Sequence, residues 1–229
     1  MEIKAKKMVG TLTASILTMF VFLNGMTASA GTILSPEAVI ANTLGVDSAP
    51  FANGFMIDQS GLSAGFTSGF TDFDTYIGTS PTHVDGGLNV SWFSPAFGGT
   101  TGSIDYDLGS SVKVSQIVLW PDDFSGPSGI SVFTSDDSLF TLATLVGTLS
   151  PSDPANSVAV PGEVFDLLDT TARYVRLSIT SGFDTGDQVG IGEVAFDVTI
   201  PEPSVLTIFG LGLSGLGVMM RRRRKAVAS

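Results

Sequence analysis

The 229-residue sequence has no cysteine and one histidine, His83. Without cysteine there is no disulfide framework, thiolate nucleophile or cysteine-ligated zinc. With one histidine, any serine–histidine mechanism rests on His83 alone. Positive charge is scarce in the body of the chain. The formal net charge is −11, yet three of the eleven Lys and Arg lie in the first seven residues and five in Arg221–Lys225. Residues 31–200 keep only Lys113, Arg173 and Arg176, against twenty of the twenty-two Asp and Glu. Such a surface repels phosphate backbones and anionic lipid, which excludes nucleic acid as a partner. The length suits one ordinary domain with attachments.

The attachments are legible at both ends. A basic start (Lys4, Lys6, Lys7) leads into an apolar run over about residues 8–23, and Ala28-Ser29-Ala30 offers small residues at −3 and −1 of a cleavage site. Residues 1–30 therefore read as a secretory signal peptide, removed by signal peptidase after Ala30. At the other end, residues 205–220 carry no charge and are followed by Arg221, Arg222, Arg223, Arg224 and Lys225. As a helix this stretch spans about 24 Å, which snorkelling arginines extend enough to cross a bilayer. A membrane helix is thus expected over about 204–220, its basic tail (221–225) in the cytoplasm and residues 31–200 outside. Gly210 to Gly215 formally matches a dinucleotide-binding GxGxxG, but no strand precedes it and no acidic partner follows, so that reading is rejected.

Pro201-Glu202-Pro203, the short apolar helix and the arginine cluster (Arg221, Arg222, Arg223, Arg224) together resemble the PEP-CTERM sorting signal of Gram-negative bacteria. The resemblance covers about residues 200–225. It implies an exosortase as processing partner, an inner-membrane precursor, and an ectodomain released or attached at the cell surface.

Between the ends, Gly, Pro, Ser, Asp and Thr punctuate short β-branched and aromatic runs, the pattern of an all-β domain. Strands are expected at residues 103–108, 112–120, 129–134, 144–149, 173–180 and 190–199. Two of them alternate, Tyr174/Arg176/Ser178 opposing Val175/Leu177/Ile179 and Ile191/Glu193/Ala195 opposing Val194/Phe196/Val198. Each can bury one face against a second sheet. Ser35-Pro36-Glu37 predicts a short helix over residues 35–44, with Ser35 as its cap.

Five segments in order resemble the discoidin, or coagulation-factor C-type, domain of the galactose-binding-like superfamily. They are Asp85-Gly86 with Trp92, Ile104 to Gly109, Ile130 to Ser135, Ala172 to Leu177, and Gly190 to Phe196. The resemblance spans about residues 83–198, leaves 31–82 unmatched, and implies a jelly-roll β-sandwich over residues 31–200. It also implies a structural calcium held by Asp85 and Glu193, as this oxygen-seeking ion prefers, although Val90 stands where the family carries threonine. The other role open to Glu193 is to cap loop amides or pair with an arginine.

Catalytic constellations fare poorly. Gly61-Leu62-Ser63-Ala64-Gly65 has the spacing of a nucleophile elbow but sits in a Gly/Ser-rich loop. Asp105-Tyr106-Asp107 lacks the glycine and glutamate of a calcium loop, and Asp122/Asp123 and Asp136/Asp137 are turn formers that single out no acid and base. The chain reads as a non-enzyme. Superfamily ligands gather at loops at one end of the sandwich, which makes Trp120, Asp122, Phe124, Phe183 and Gln188 the candidate contacts. A packed strand end is the other role open to Trp120, while Arg173 and Arg176 are expected to balance carboxylates. The expectation is an exported surface or matrix protein that binds glycan or exopolysaccharide. The alternatives are a structural matrix component without a ligand and, less favoured by the lone histidine, a secreted hydrolase.

Overall fold

The structure, a computed structural model, describes residues 31–47, 51–86, 88–123, 125–154, 159–184 and 188–200. The expected signal peptide, membrane helix and sorting motif lie outside these residues. Among the described residues, no helix is long and apolar enough to cross a membrane.

Ten strands run through the described chain: β1 (Thr32–Leu34), β2 (Ala38–Asn42), β3 (Thr82–Val84), β4 (Trp92–Phe93), β5 (Gly102–Pro121), β6 (Pro127–Ser135), β7 (Thr144–Leu149), β8 (Ala159–Pro161), β9 (Glu163–Gly182) and β10 (Gly190–Thr199). One short helix, α1 (Phe73–Ile77), precedes β3. Strands β5 and β9 each hold 20 residues, which laid flat would run about 66 Å, so both must bend. Their mutual register skips between Asp107 and Val112 and again between Val114 and Gln116. Gly109 sits in the first skip at φ +83, where a side chain would strike the Glu37 carboxylate; glycine is the residue this bend allows.

The bend divides the sheet into two layers. In the first, β2 pairs with the start of β5, that segment with the end of β9, and then β6 and β7 follow. In the second, β1 pairs with β10, β10 with the end of β5, and that with the start of β9. Every named pairing is antiparallel. Between the layers lies one apolar core, with Ile104, Tyr106, Val132, Val175 and Leu177 on one side and Ile117, Leu119, Val194, Phe196 and Val198 on the other. The Tyr106 and Phe196 rings meet edge to face across it at 6.4 Å.

Segment 31–82, unmatched in sequence, has a structural role. Ile33, Phe73 and Tyr76 pack on the outer side of the second layer against Val118, Trp120 and Ala195. The Asp72 carboxylate caps α1 by accepting from the Thr75 amide at 2.8 Å, and the Tyr76 hydroxyl donates to the Ala64 carbonyl at 2.6 Å. The helix expected over residues 35–44 is instead β2. Val39 and Ile40 suit a strand, and the edge of β5 satisfies the local backbone, with Glu37 N–H donating to Asp107 O at 2.8 Å and Thr43 N–H to Ser103 O at 2.9 Å. Non-local pairing outweighs the local capping signal.

Candidate functional site

The residues expected to contact ligand lie at the end where β5 and β10 meet the connecting loops. Trp120 is fully buried. Its indole N–H donates to the Pro81 carbonyl at 3.0 Å, and its ring lies so close to Gly162 that a Cβ there would fall 2.6 Å from it. It is the packed strand end, with no face left for a sugar. Asp122 is also buried. Burial, then the neighbouring Asp85 carboxyl it contacts, and then Asp123 push its pKa up to about 8. Gln188 is tied down, its amide donating to Ser94 O at 2.8 Å and to Asp47 Oδ2 at 3.2 Å. Phe183 is half-buried, and its N–H donates to Gly126 O at 3.0 Å. Phe124 lies outside the described residues. Ser94 completes the clasp: its N–H donates to Val189 O and its hydroxyl accepts from Val189 N–H, both at 2.8 Å.

The carboxylates expected to hold calcium face different partners. Asp85 accepts from the Asp123 amide at 2.9 Å. Glu193, fully buried, accepts from the Gln59 amide at 2.8 Å, and burial, aided by the charge of Asp58, pushes its pKa up to about 9. Between these segments stands the buried imidazole of His83. Its Nδ1 lies 2.6 Å from Val84 O, and its Nε2 lies 2.8 Å from Ser60 O and 3.1 Å from Val90 O. A Cβ on Gly61 or Gly192 would come within 2.5 Å of the ring. Among the described residues no three acidic or histidine side chains are placed to hold a metal ion. Glu193 thus caps a loop amide with one oxygen, while its other, Oε1, is buried with no hydrogen-bond partner among the described residues.

The sequence missed a different feature, the outer face of the first layer. A groove of about 670 Å³ runs over it. Five of its ten lining residues carry hydroxyls: Thr43, Thr101, Ser103, Ser178 and Thr180. Antiparallel register aligns side chains across strands. Ser103, Ser178 and Ser131 form one row, and Asp105, Arg176 and Phe133 the next. Arg176 forks onto Asp105 through Nε and Nη2, both at 2.7 Å, while the Asp105 side chain is only 4% exposed. The Phe140 ring supports the guanidinium from one side, 4.2 Å away. Phe140 adopts φ 53, a left-handed conformation that costs a bulky residue about 1–2 kcal/mol. The turn around Asp137 holds it, with Phe140 N–H donating to Asp137 O at 2.9 Å. Arg173 forks onto Asp107 in the same way at 2.9 Å, which holds the Asp107 carboxyl below its usual range. Both arginines do balance carboxylates, as their sequence context indicated. The outward alternation of Arg176, Ser178 and Thr180 was readable in β9; their alignment with β5 and β6 required the register.

A family profile described as the PEP-CTERM protein-sorting motif matches residues 199–224. The chain carries a PEP-CTERM sorting signal. No curated protein sequence matches the chain. Solved structures similar to parts of it include the CBM32 of AlyQ in complex with 4,5-unsaturated mannuronic acid, at 28% identity and TM-score 0.37, covering 49% of this chain and 81% of that one. Another is the CBM32-5 of GH89 from Clostridium perfringens in complex with GalNAc-β-1,3-galactose, at 15% identity and TM-score 0.44, covering 73% and 93%. A third is chitosan-binding module 1 from the chitosanase/glucanase of Paenibacillus sp. IK-5, at 20% identity and TM-score 0.45, covering 74% and 96%. The two-layer arrangement itself is read from this chain's own strand order and register.

Proposed function

We propose that this is an exported surface protein of a Gram-negative bacterium, processed by an exosortase, whose galactose-binding-like β-sandwich binds glycan or exopolysaccharide of the extracellular matrix without catalysis. The observation that carries the reading is the PEP-CTERM sorting motif at residues 199–224, attached to an all-β domain. The proline–glutamate–proline element marks the processing site, the apolar stretch holds the precursor in the inner membrane, and the arginines keep that end inside. Of the residues a serine hydrolase would need, the lone His83 is buried among carbonyl oxygens, and Ser63 has its amide and hydroxyl engaged with Thr82, which supports a binding role over hydrolysis.

The test pairs localisation with binding. In cells lacking exosortase the full-length precursor accumulates in the inner membrane, and in wild-type cells a shorter product appears at the surface. The shorter product is then depleted from solution by insoluble exopolysaccharide of the producing cells. An unchanged product in exosortase-deficient cells contradicts the sorting assignment. Absence of depletion by any polysaccharide favours a purely structural matrix component.

A further inference from the structure

We infer that the open outer face of the first layer is a binding groove for an uncharged polysaccharide, with the Arg176 guanidinium as its fixed hydrogen-bond donor. This rests on the reading of the chain as a glycan-binding surface protein and adds where the glycan lies and what class it belongs to.

The shape comes first. Ser103, Ser178 and Ser131 succeed one another across three paired strands, about 4.8 Å apart along the row. That spacing is comparable to the length of one sugar residue in an extended chain. A polysaccharide crossing the strands therefore meets hydroxyls in step with its own. The parallel row gives it the half-buried ring of Phe133 and the guanidinium of Arg176. A hydroxyl-lined groove with one aromatic wall suits a sugar ring, which is apolar on its faces and polar at its edge.

Arg176 is prepared for this contact. A guanidinium carries five N–H groups, and the fork onto Asp105 uses one on Nε and one on Nη2. Three remain to donate to sugar oxygens. Asp105 and the Phe140 ring fix the plane of the group before any ligand arrives, so little side-chain entropy is lost on binding.

Charge decides the class. All three cations of residues 31–200 are already in ion pairs: Lys113 with Asp169, Arg173 with Asp107 and Arg176 with Asp105. Twenty Asp and Glu, most of them ionised at neutral pH, share the same region. A polyanion would approach a surface of its own sign and find no unpaired cation among the described residues to offset the repulsion. An uncharged glycan encounters no such barrier, and the neutralised Arg176 still donates to it.

The experiment is affinity electrophoresis of the full-length protein in gels containing soluble β-glucan, galactomannan or, as polyanion, alginate. The inference predicts retardation by a neutral polysaccharide, none by alginate, and loss of retardation in Ser178→Tyr, which fills the groove from a solvent-facing strand position. Thr43→Tyr, at the exposed rim, does the same if Ser178→Tyr lowers the melting temperature. Retardation by a neutral polysaccharide that both variants leave intact overturns the groove while preserving glycan binding. Retardation by alginate alone overturns the ligand class. Retardation by none of the three, with depletion by the native matrix also absent, removes the glycan-binding reading and this inference with it.

Discussion

The two layers of the sandwich share the strands β5 and β9 but show the outside opposite faces. The second layer is covered, with Val118, Trp120 and Ala195 lying under Ile33, Phe73 and Tyr76. The first layer is open and displays Ser103, Ser178 and the Arg176–Asp105 pair along a groove. A single strand records the difference. At its start, β5 alternates Ser103, Asp105 and Asp107 with Ile104, Tyr106 and Leu108; near its end, Ile117, Val118, Leu119 and Trp120 are all buried. Alternation marks a sheet with one wet face, and an unbroken apolar run marks one buried on both. The chain places its covering segment where the run is unbroken and leaves the alternating half bare.

The sharpest way to break this contrast is Trp120→Ala. It removes a fully buried indole and its bond to Pro81, and should lower unfolding free energy by about 3–5 kcal/mol in urea titration. A loss near that of a surface substitution would show that the cover over the second layer is loose.

The buried carboxyls come next. Glu193 is raised from 4.5 to about 9 and Asp122 from 3.8 to about 8. Between those limits the native state retains protons the unfolded chain has released, so stability falls as pH rises. The contribution is fully present below about pH 4 and is lost progressively up to about pH 9. Denaturation midpoints measured at intervals over that range should decline, and Glu193→Gln should flatten the upper part of the curve. A midpoint that climbs with pH would mean both groups are ionised in the fold.

On the open face, Arg176→Ala leaves the buried Asp105 carboxylate without its fork. The expected loss is about 2 kcal/mol, below the 3–5 of a fully enclosed pair because the arginine is partly solvated. Ser178→Ala, by contrast, should stay within about 0.5 kcal/mol of the parent, separating a ligand-facing residue from a structural one. The smallest expected effect is that of calcium. Adding Ca²⁺ or EDTA should leave the melting temperature unmoved, since Asp85 and Glu193 already accept from the Asp123 and Gln59 amides. A calcium-dependent rise would restore the two carboxylates as ligands.

What the sequence disclosed follows the same division. The alternation of Tyr174, Arg176 and Ser178 with Val175, Leu177 and Ile179 marks the open half of β9, and the bounds expected for β7 and β10 match the observed ones. The bend at Gly109 was missed as a bend: one strand was read as two, because a left-handed glycine between apolar runs resembles a turn. Residues 35–44 carry a helix-start signal that only the distant β5 edge overrides. Trp120 and Asp122 are candidate contacts because the resemblance places ligands at loops at one end of the sandwich. Their burial depends on Pro81, Gly162 and Asp85, all remote in sequence. The groove escaped notice for the converse reason, since scattered serines and threonines form a row only once three strands are in register.

The proposed ligand site is the open face of the first layer. Its most direct test is amide chemical-shift mapping of isotope-labelled protein titrated with a neutral oligosaccharide that the native chain binds. Binding on the open face concentrates the shifts at Ser103, Ser131, Arg176, Ser178 and Thr180. Shifts confined to the loop end around Asp122, Phe183 and Gln188, with those five unmoved, would contradict it.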